Sequence, residues 1–370
     1  MIKYNSSQKV KKVPLLDKTL DELSVVLLEL GEPKFRAKQL YDWLIKGASF
    51  DEMLNISAIL KQKLFASFSD TSLEIEKVFT ADDKSEKYLY RLLDGQLIEG
   101  VLLPNKYGNT LCISTQVGCR MGCKFCTSGE NGLERNLSPA EIAGQFIAVC
   151  RYQDKKSESL QGKKNTIANG AQVPSRPISN IVFMGSGEPL DNYDNVIAAV
   201  KLLTNPLGLN ISVRNISLST CGLVPEILRL AEENLGLTLS LSLHATTDIT
   251  RQFLMPIAKR YSIATTIDAL KVYFRQTGRR VCIEYVLVAG KNDALDDAKR
   301  LANLTTGYSC HVNLINLNSA RDKNLKSSKA QAANDFLKTL TALNVSASLR
   351  RSYGADVFGA CGQLRGAQLK

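Results

Sequence analysis

Apolar residues recur at helical spacing near the start of the chain and in short runs or alternation further on. Leu20, Leu23, Val26, Leu27 and Leu30 share one face of a helix expected over 17–30, with Gly31 as its C-cap. A second amphipathic helix with one basic edge is expected over 34–44 and a third over 56–68, so residues 1–75 read as a small helical domain. Residues 76–107 read as a β-hairpin connector: runs at 88–93 and 96–103 flank Asp94-Gly95, a strong turn signal. From 108 to 370 short apolar strands alternate with amphipathic helices. Strands are expected at 110–114, 180–184, 215–219, 237–243, 281–288, 311–315 and 346–349. The helices between them fall at 139–151, 193–204, 225–233, 263–276, 295–304 and 329–343. This alternation implies an α/β fold with a parallel sheet, either a barrel or a doubly wound sheet. Residues 154–176, polar and almost free of apolar side chains, interrupt the rhythm as a solvated insertion.

Composition narrows the class without choosing a function. The 370 residues are 44% hydrophobic and 22% charged, an ordinary globular balance. No apolar run approaches a membrane span, and the lysine-bearing start lacks the apolar core of a secretory signal. A cytoplasmic protein, monomeric by default and away from membranes, is the expectation. The net charge of +11 favours a polyanionic partner such as a nucleic acid, against a plain solvated basic surface. Nine cysteines in so long a chain argue for metal binding, catalysis or burial rather than a disulfide framework.

The sharpest chemical signal is Cys119-Arg120-Met121-Gly122-Cys123-Lys124-Phe125-Cys126. Three thiols in a glycine-bearing loop just after a strand suit a [4Fe–4S] cluster with one iron left open for a small ligand. The competing readings are a structural zinc, with Cys112 or Cys150 as the fourth ligand, and three buried cysteines without metal.

That loop, with Phe125 before its last cysteine, resembles the signature of radical S-adenosylmethionine (SAM) enzymes. Longer strings resemble one branch of them: CISTQVGC at 112–119, GLERNL at 132–137, FMGSGEPL at 183–190 and ACGQL at 360–364. The branch is that of the dual-specificity 23S rRNA and tRNA adenine-C2 methyltransferases, and the resemblance spans nearly the whole chain in order. It implies a partial (β/α)6 barrel with a small N-terminal helical domain that binds RNA. It also implies a [4Fe–4S] cluster, two SAM molecules per turnover, and a reductase or flavodoxin-type electron donor.

The resemblance assigns roles residue by residue. Cys119, Cys123 and Cys126 match the cluster ligands. Cys361 matches the cysteine that one SAM methylates; a 5′-deoxyadenosyl radical from a second SAM then activates that methyl group for addition to adenine C2. Cys112 matches the thiol that resolves the protein–RNA adduct, leaving a Cys112–Cys361 disulfide. Glu99, the one carboxylate in the apolar run 97–103, matches the proposed proton acceptor, and a desolvated carboxylate could handle protons near neutrality. Gly187, Glu188, Ser219, Ser242, Leu243, His244 and Asn318 match SAM contacts. The chain departs from the pattern at Leu317-Asn318-Ser319-Ala320, where the family carries Trp-Asn-Pro. The nearest rival is the related C8 methyltransferase that confers antibiotic resistance; Val117 and Pro189 favour C2. Other rivals are a zinc-bearing RNA-binding protein and a radical SAM enzyme with a small-molecule substrate. Lys34, Arg36 and Lys38, Arg279-Arg280, Arg350-Arg351 and the lysines of 155–164 are candidates for phosphate contact.

Overall fold

The computed structural model describes residues 12–106, 108–161, 177–318 and 322–364. A short strand β1 (Val13–Pro14) and a 3-10 turn at Leu15–Asp17 precede helix α1 (Leu20–Glu29). The helix starts later than its apolar spacing suggests because Thr19 caps it. Thr19 accepts the Glu22 N–H at 3.2 Å, and the Glu22 carboxylate accepts the Thr19 N–H at 2.7 Å. Asp17, left outside, accepts the Ala140 N–H at 2.8 Å and so fastens the helical region to the barrel. Helices α2 (Arg36–Leu44) and α3 (Ala58–Ser67) join α1, burying Leu23, Leu27, Leu40, Leu44, Leu60 and Leu64 in one core. Strand β2 (Phe68–Ser69) pairs in parallel with β1.

The next strands, β3 (Leu73–Thr80), β4 (Glu86–Leu92) and β5 (Leu97–Leu103), form an antiparallel meander. The segment expected as a connector is hydrogen-bonded into the main sheet, since β5 pairs antiparallel with β6 (Thr110–Cys112). Six of the seven residues of β4 are buried, so this hairpin needs cover on both faces.

A small ribbon follows, β7 (Gln116–Gly118) and β8 (Leu133–Asn136), then helix α4 (Pro139–Gln161). The barrel continues with β9 (Asn180–Phe183), α5 (Tyr193–Thr204), β10 (Ile216–Thr220), α6 (Val224–Glu233) and β11 (Thr238–Ser242). It ends with α7 (Asp248–Leu254), α8 (Ile263–Thr277), β12 (Val281–Leu287), α9 (Leu295–Leu304), β13 (Cys310–Asn316), α10 (Ala330–Ala342) and β14 (Ala347–Arg350). The sheet order is β14-β13-β12-β11-β10-β9-β6-β5-β4-β3, and every pair from β6 to β14 is parallel. Six βα units followed by a seventh strand make a partial barrel.

Three features differ from the sequence pattern. The β7–β8 ribbon and α7 occupy stretches that carried no expected element. Helix α4 runs past residue 151 to Gln161, because Gln153 and Lys156 find a partner in Glu86 on β4. Residues 154–161 of the expected insertion are therefore helical, and the rest of it lies outside the described residues. No helix among the described residues is long and apolar enough to cross a membrane.

Candidate active site

The β7–β8 ribbon is the stem of the cysteine loop. The Cys119 N–H donates to the Gly132 carbonyl at 2.8 Å, closing the stem. Gly118 at φ +76° makes this approach possible, since a Cβ there would stand 2.1 Å from the Gly132 oxygen. Beyond the stem the loop is fastened at three points. The Lys124 N–H donates to the Leu254 carbonyl at 2.9 Å, the Asp322 N–H to the Lys124 carbonyl at 2.9 Å, and the Thr127 N–H to the Gly362 carbonyl at 2.8 Å. Phe125 stands edge-on to His244, with ring centroids 4.8 Å apart.

Cys119, Cys123 and Cys126 line one cavity of about 930 Å³, part of it open to solvent, at the C-terminal ends of β9 to β14. Burial pushes the Cys119 thiol up to about 12 and raises Cys123 and Cys126, each resisting ionisation further as its neighbours charge. Such thiols ionise when a cation arrives to compensate them. Among the described residues no three His, Cys, Asp or Glu side chains gather around a point where one ion could sit. A cubane cluster asks for something else, one thiolate on each of three irons, and the three thiols on a single cavity wall fit it.

The opposite wall belongs to the strand ends. Gly187, at φ +107°, crosses over the Thr115-Gln116 segment, where a Cβ would come within 2.7 Å of the Gln116 Cβ. Glu188 is buried, and its carboxylate already accepts the Cys221 N–H at 2.8 Å and the Leu190 N–H at 3.1 Å. Burial raises its pKa, with those hydrogen bonds opposing. Ser219 and Ser242, neighbours on β10 and β11, lie 3.3 Å apart through their hydroxyls. His244 follows at φ +54°, held by the Asn292 amide on its carbonyl at 2.7 Å and by the Val286 N–H on Nδ1 at 3.0 Å. Burial, aided by the Arg251 charge, lowers its pKa to about 3, so the ring is neutral with its proton on Nε2. Leu243, between them, has its side chain fully buried in the core and is not among the lining residues of the cavity.

Cys361 lines this cavity and a second, adjoining one, whose wall includes Cys112. Burial, reinforced by Cys361, pushes the Cys112 thiol up to about 12. Both cysteines are free thiols. Asn318 donates its side-chain amide to the Cys361 carbonyl at 3.3 Å, so it orders the Cys361 loop as well as lining the cavity. Residues 319–321, which complete the departure from the family pattern, lie outside the described residues.

Glu99 stands elsewhere. It is 1% exposed, is not among the lining residues of either cavity, and pairs with Lys87 at 2.7 Å. The carboxylate that looked solitary in the apolar run of β5 faces a cation on β4, and Lys87 also donates to the Phe358 carbonyl at 3.3 Å. Arg350, one of the candidates for phosphate contact, lines both cavities and pairs with Glu284 at 3.2 Å. Burial works against its charge, but Cys361, Glu284 and Cys112 more than offset this and raise its pKa. Arg279 and Arg280 precede β12, at the end of the strands opposite the cavity. Lys38 pairs with Asp42. Arg36 donates to Gln39 and to the Asn55 carbonyl, so part of the basic edge is engaged within its own domain. Glu284 and Arg350 were invisible as a pair in sequence. A charged residue inside the apolar run of β12 was the available signal.

Two family models match the chain, a ribosomal RNA large subunit methyltransferase N-terminal domain over residues 13–69 and the radical SAM superfamily over residues 165–304. A probable dual-specificity RNA methyltransferase RlmN of Clostridium perfringens is 45% identical over 359 residues, covering 96% of this chain and 97% of its own. One of the same description from Lachnospira eligens is 43% identical, covering 93% of each chain. The crystal structure of a radical SAM methyltransferase from Sphaerobacter thermophilus superposes with a TM-score of 0.88 at 38% identity, over 96% of this chain and all of that one.

Proposed function

The chain belongs to the RlmN family, radical SAM enzymes that methylate RNA with SAM and a [4Fe–4S] cluster, and from that premise we propose that it methylates C2 of an adenosine in 23S rRNA, and in tRNA. The observation that carries the proposal is the position of Cys361. It lines the cavity of the three cluster thiols and also the cavity that holds Cys112.

Cys119, Cys123 and Cys126 would hold the cluster, which supplies the electron that cleaves SAM to methionine and a 5′-deoxyadenosyl radical. The chain's own residues then account for the transfer. The Cys361 sulfur first takes a methyl group from one SAM, releasing S-adenosylhomocysteine. After loss of a hydrogen atom to the deoxyadenosyl radical, the methylene carbon on Cys361 bonds to adenine C2. The C2 proton leaves, and the electron of the adduct radical returns to the enzyme. Cys112 then gives up its proton and attacks the Cys361 sulfur; the disulfide forms as the carbon–sulfur bond breaks, and the released CH2 carbon takes a proton to complete the methyl group. Arg350, beside both sulfurs and braced by Glu284, keeps them in a cationic environment. Glu99 can serve as proton acceptor only if its pair with Lys87 opens, so that role rests on a rearrangement. Gly187, Glu188, Ser219, Ser242, His244 and Asn318 would hold SAM. The reading includes two SAM per turnover, a flavodoxin-type donor, a monomer and a cytoplasmic setting.

The test is anaerobic turnover of reconstituted protein with reductant, SAM and an unmodified rRNA fragment, followed by mass spectrometry of the nucleosides. Wild type should yield 2-methyladenosine and Cys361→Ala none. Formation of 8-methyladenosine, or methylation by the variant, would sink the reading.

A further inference from the structure

Arg251, on α7, is the largest of the fully buried side chains, with no exposure at all. Among the described residues it forms no ion pair. Main-chain carbonyls hold its guanidinium instead: Nη2 donates to Cys221 at 2.7 Å and Ser242 at 3.4 Å, Nε to Leu243 at 3.2 Å, and Nη1 to Tyr261 at 3.4 Å. The surroundings are closed, since a Cβ on Gly222 would lie 3.2 Å from Nη2. Carbonyl dipoles satisfy the N–H groups yet leave a whole positive charge in the interior, an arrangement that costs several kcal/mol unless an anion compensates it.

The groups that face Arg251 identify the anion. His244, on the strand-end side, is neutral. Asp248, one turn earlier on α7, contributes at a distance while its carboxylate accepts the Ile263 N–H at 2.8 Å. Cys221 is a buried thiol. The remaining neighbour is Cys123, in the middle of the cysteine loop: Cys221, whose carbonyl holds Nη2, lines the same cavity as Cys123, and Lys124 fastens the loop to Leu254 at the end of α7. Thiolates at Cys119, Cys123 and Cys126 would bring to this corner the negative charge that a buried guanidinium calls for.

We propose that Arg251 is the fixed countercharge of the iron–sulfur site, and that its guanidinium raises the reduction potential of the cluster held by Cys119, Cys123 and Cys126. One electron from a low-potential donor makes an already anionic site more negative. A cation in a low-dielectric interior favours that more negative state. The inference rests on the cluster assignment but not on the RNA substrate.

The experiment is an anaerobic redox titration of the reconstituted cluster, followed by electron paramagnetic resonance without SAM or RNA. Arg251→Gln should shift the midpoint negative, enough to cut the ratio of reduced to oxidised cluster about tenfold at fixed potential, about 59 mV for a one-electron couple. Arg251→Lys should stay nearer wild type. Asp248→Asn keeps an acceptor for Ile263 while removing a negative charge, and should shift the midpoint positive. A merely structural Arg251 predicts altered stability with no ordered shift of potential. A wild-type midpoint in a fully loaded Arg251→Gln protein overturns the proposal. If both Arg251 variants lose the cluster, Asp248→Asn decides alone, and absence of a positive shift overturns it.

Discussion

The loop that carries Cys119, Cys123 and Cys126 and the loop that carries Cys361 build one cavity by opposite means. The first is local: three thiols within eight residues, a stem closed by one ribbon, and Gly118 set for the tight approach to Gly132. The second comes from the far end of the chain and has no stem of its own. It is held by long-range contacts, Thr127 on the Gly362 carbonyl, Asn318 on the Cys361 carbonyl and Lys87 on the Phe358 carbonyl. A cofactor loop can thus gather its ligands locally, whereas a reactive cysteine that meets two chemistries in turn must be placed by the fold.

The largest expected effect separates the two loops by what survives. Cys123→Ala should lose the brown iron–sulfur chromophore and all deoxyadenosine formation. Cys361→Ala should keep both and lose only RNA methylation. If Cys361→Ala also fails to hold the cluster, the two loops are one unit and the comparison breaks.

A stability measurement probes the support beneath the second loop. Lys87 and Glu99 are 2% and 1% exposed, and removing one partner of a buried pair typically costs about 3–5 kcal/mol. Lys87→Met should lower stability in urea by about that amount and loosen the Cys361 loop, read as faster alkylation of Cys361. The double variant Lys87→Met, Glu99→Leu should recover most of the loss.

The smallest effect concerns the joint between the loops, where Phe125 meets His244. The native pKa of His244 is lowered to about 3, below its unfolded value. Protons therefore bind the unfolded state first. The stability His244 contributes is present above about pH 6.5 and is lost as the pH falls toward 3, by about 1.4 kcal/mol per unit at most. Between pH 6.5 and 5.5 the wild type should lose about 1 kcal/mol more stability than His244→Gln; equal slopes would show that the ring is not buried in its neutral form.

What the sequence by itself determined is the part of this protein that local chemistry dictates. Short apolar runs and period-3.6 spacing located the parallel strands and the longer helices of the barrel, because each βα unit buries its own apolar face. The spacing of Cys119, Cys123 and Cys126 announced a cluster loop, because a loop ligand set is written in neighbouring residues. Capping shifted helix ends by a few positions, and the β7–β8 ribbon and α7 were too short to leave a periodic signal. The tertiary structure alone decided which long-range partners each charge meets. Glu99 faces Lys87, Arg350 turns inward to Glu284, Leu243 goes to the core, and Arg251 is held by main-chain carbonyls. A charge is stabilised or penalised by what surrounds it in space, and strands distant in sequence set those surroundings only when the sheet is assembled.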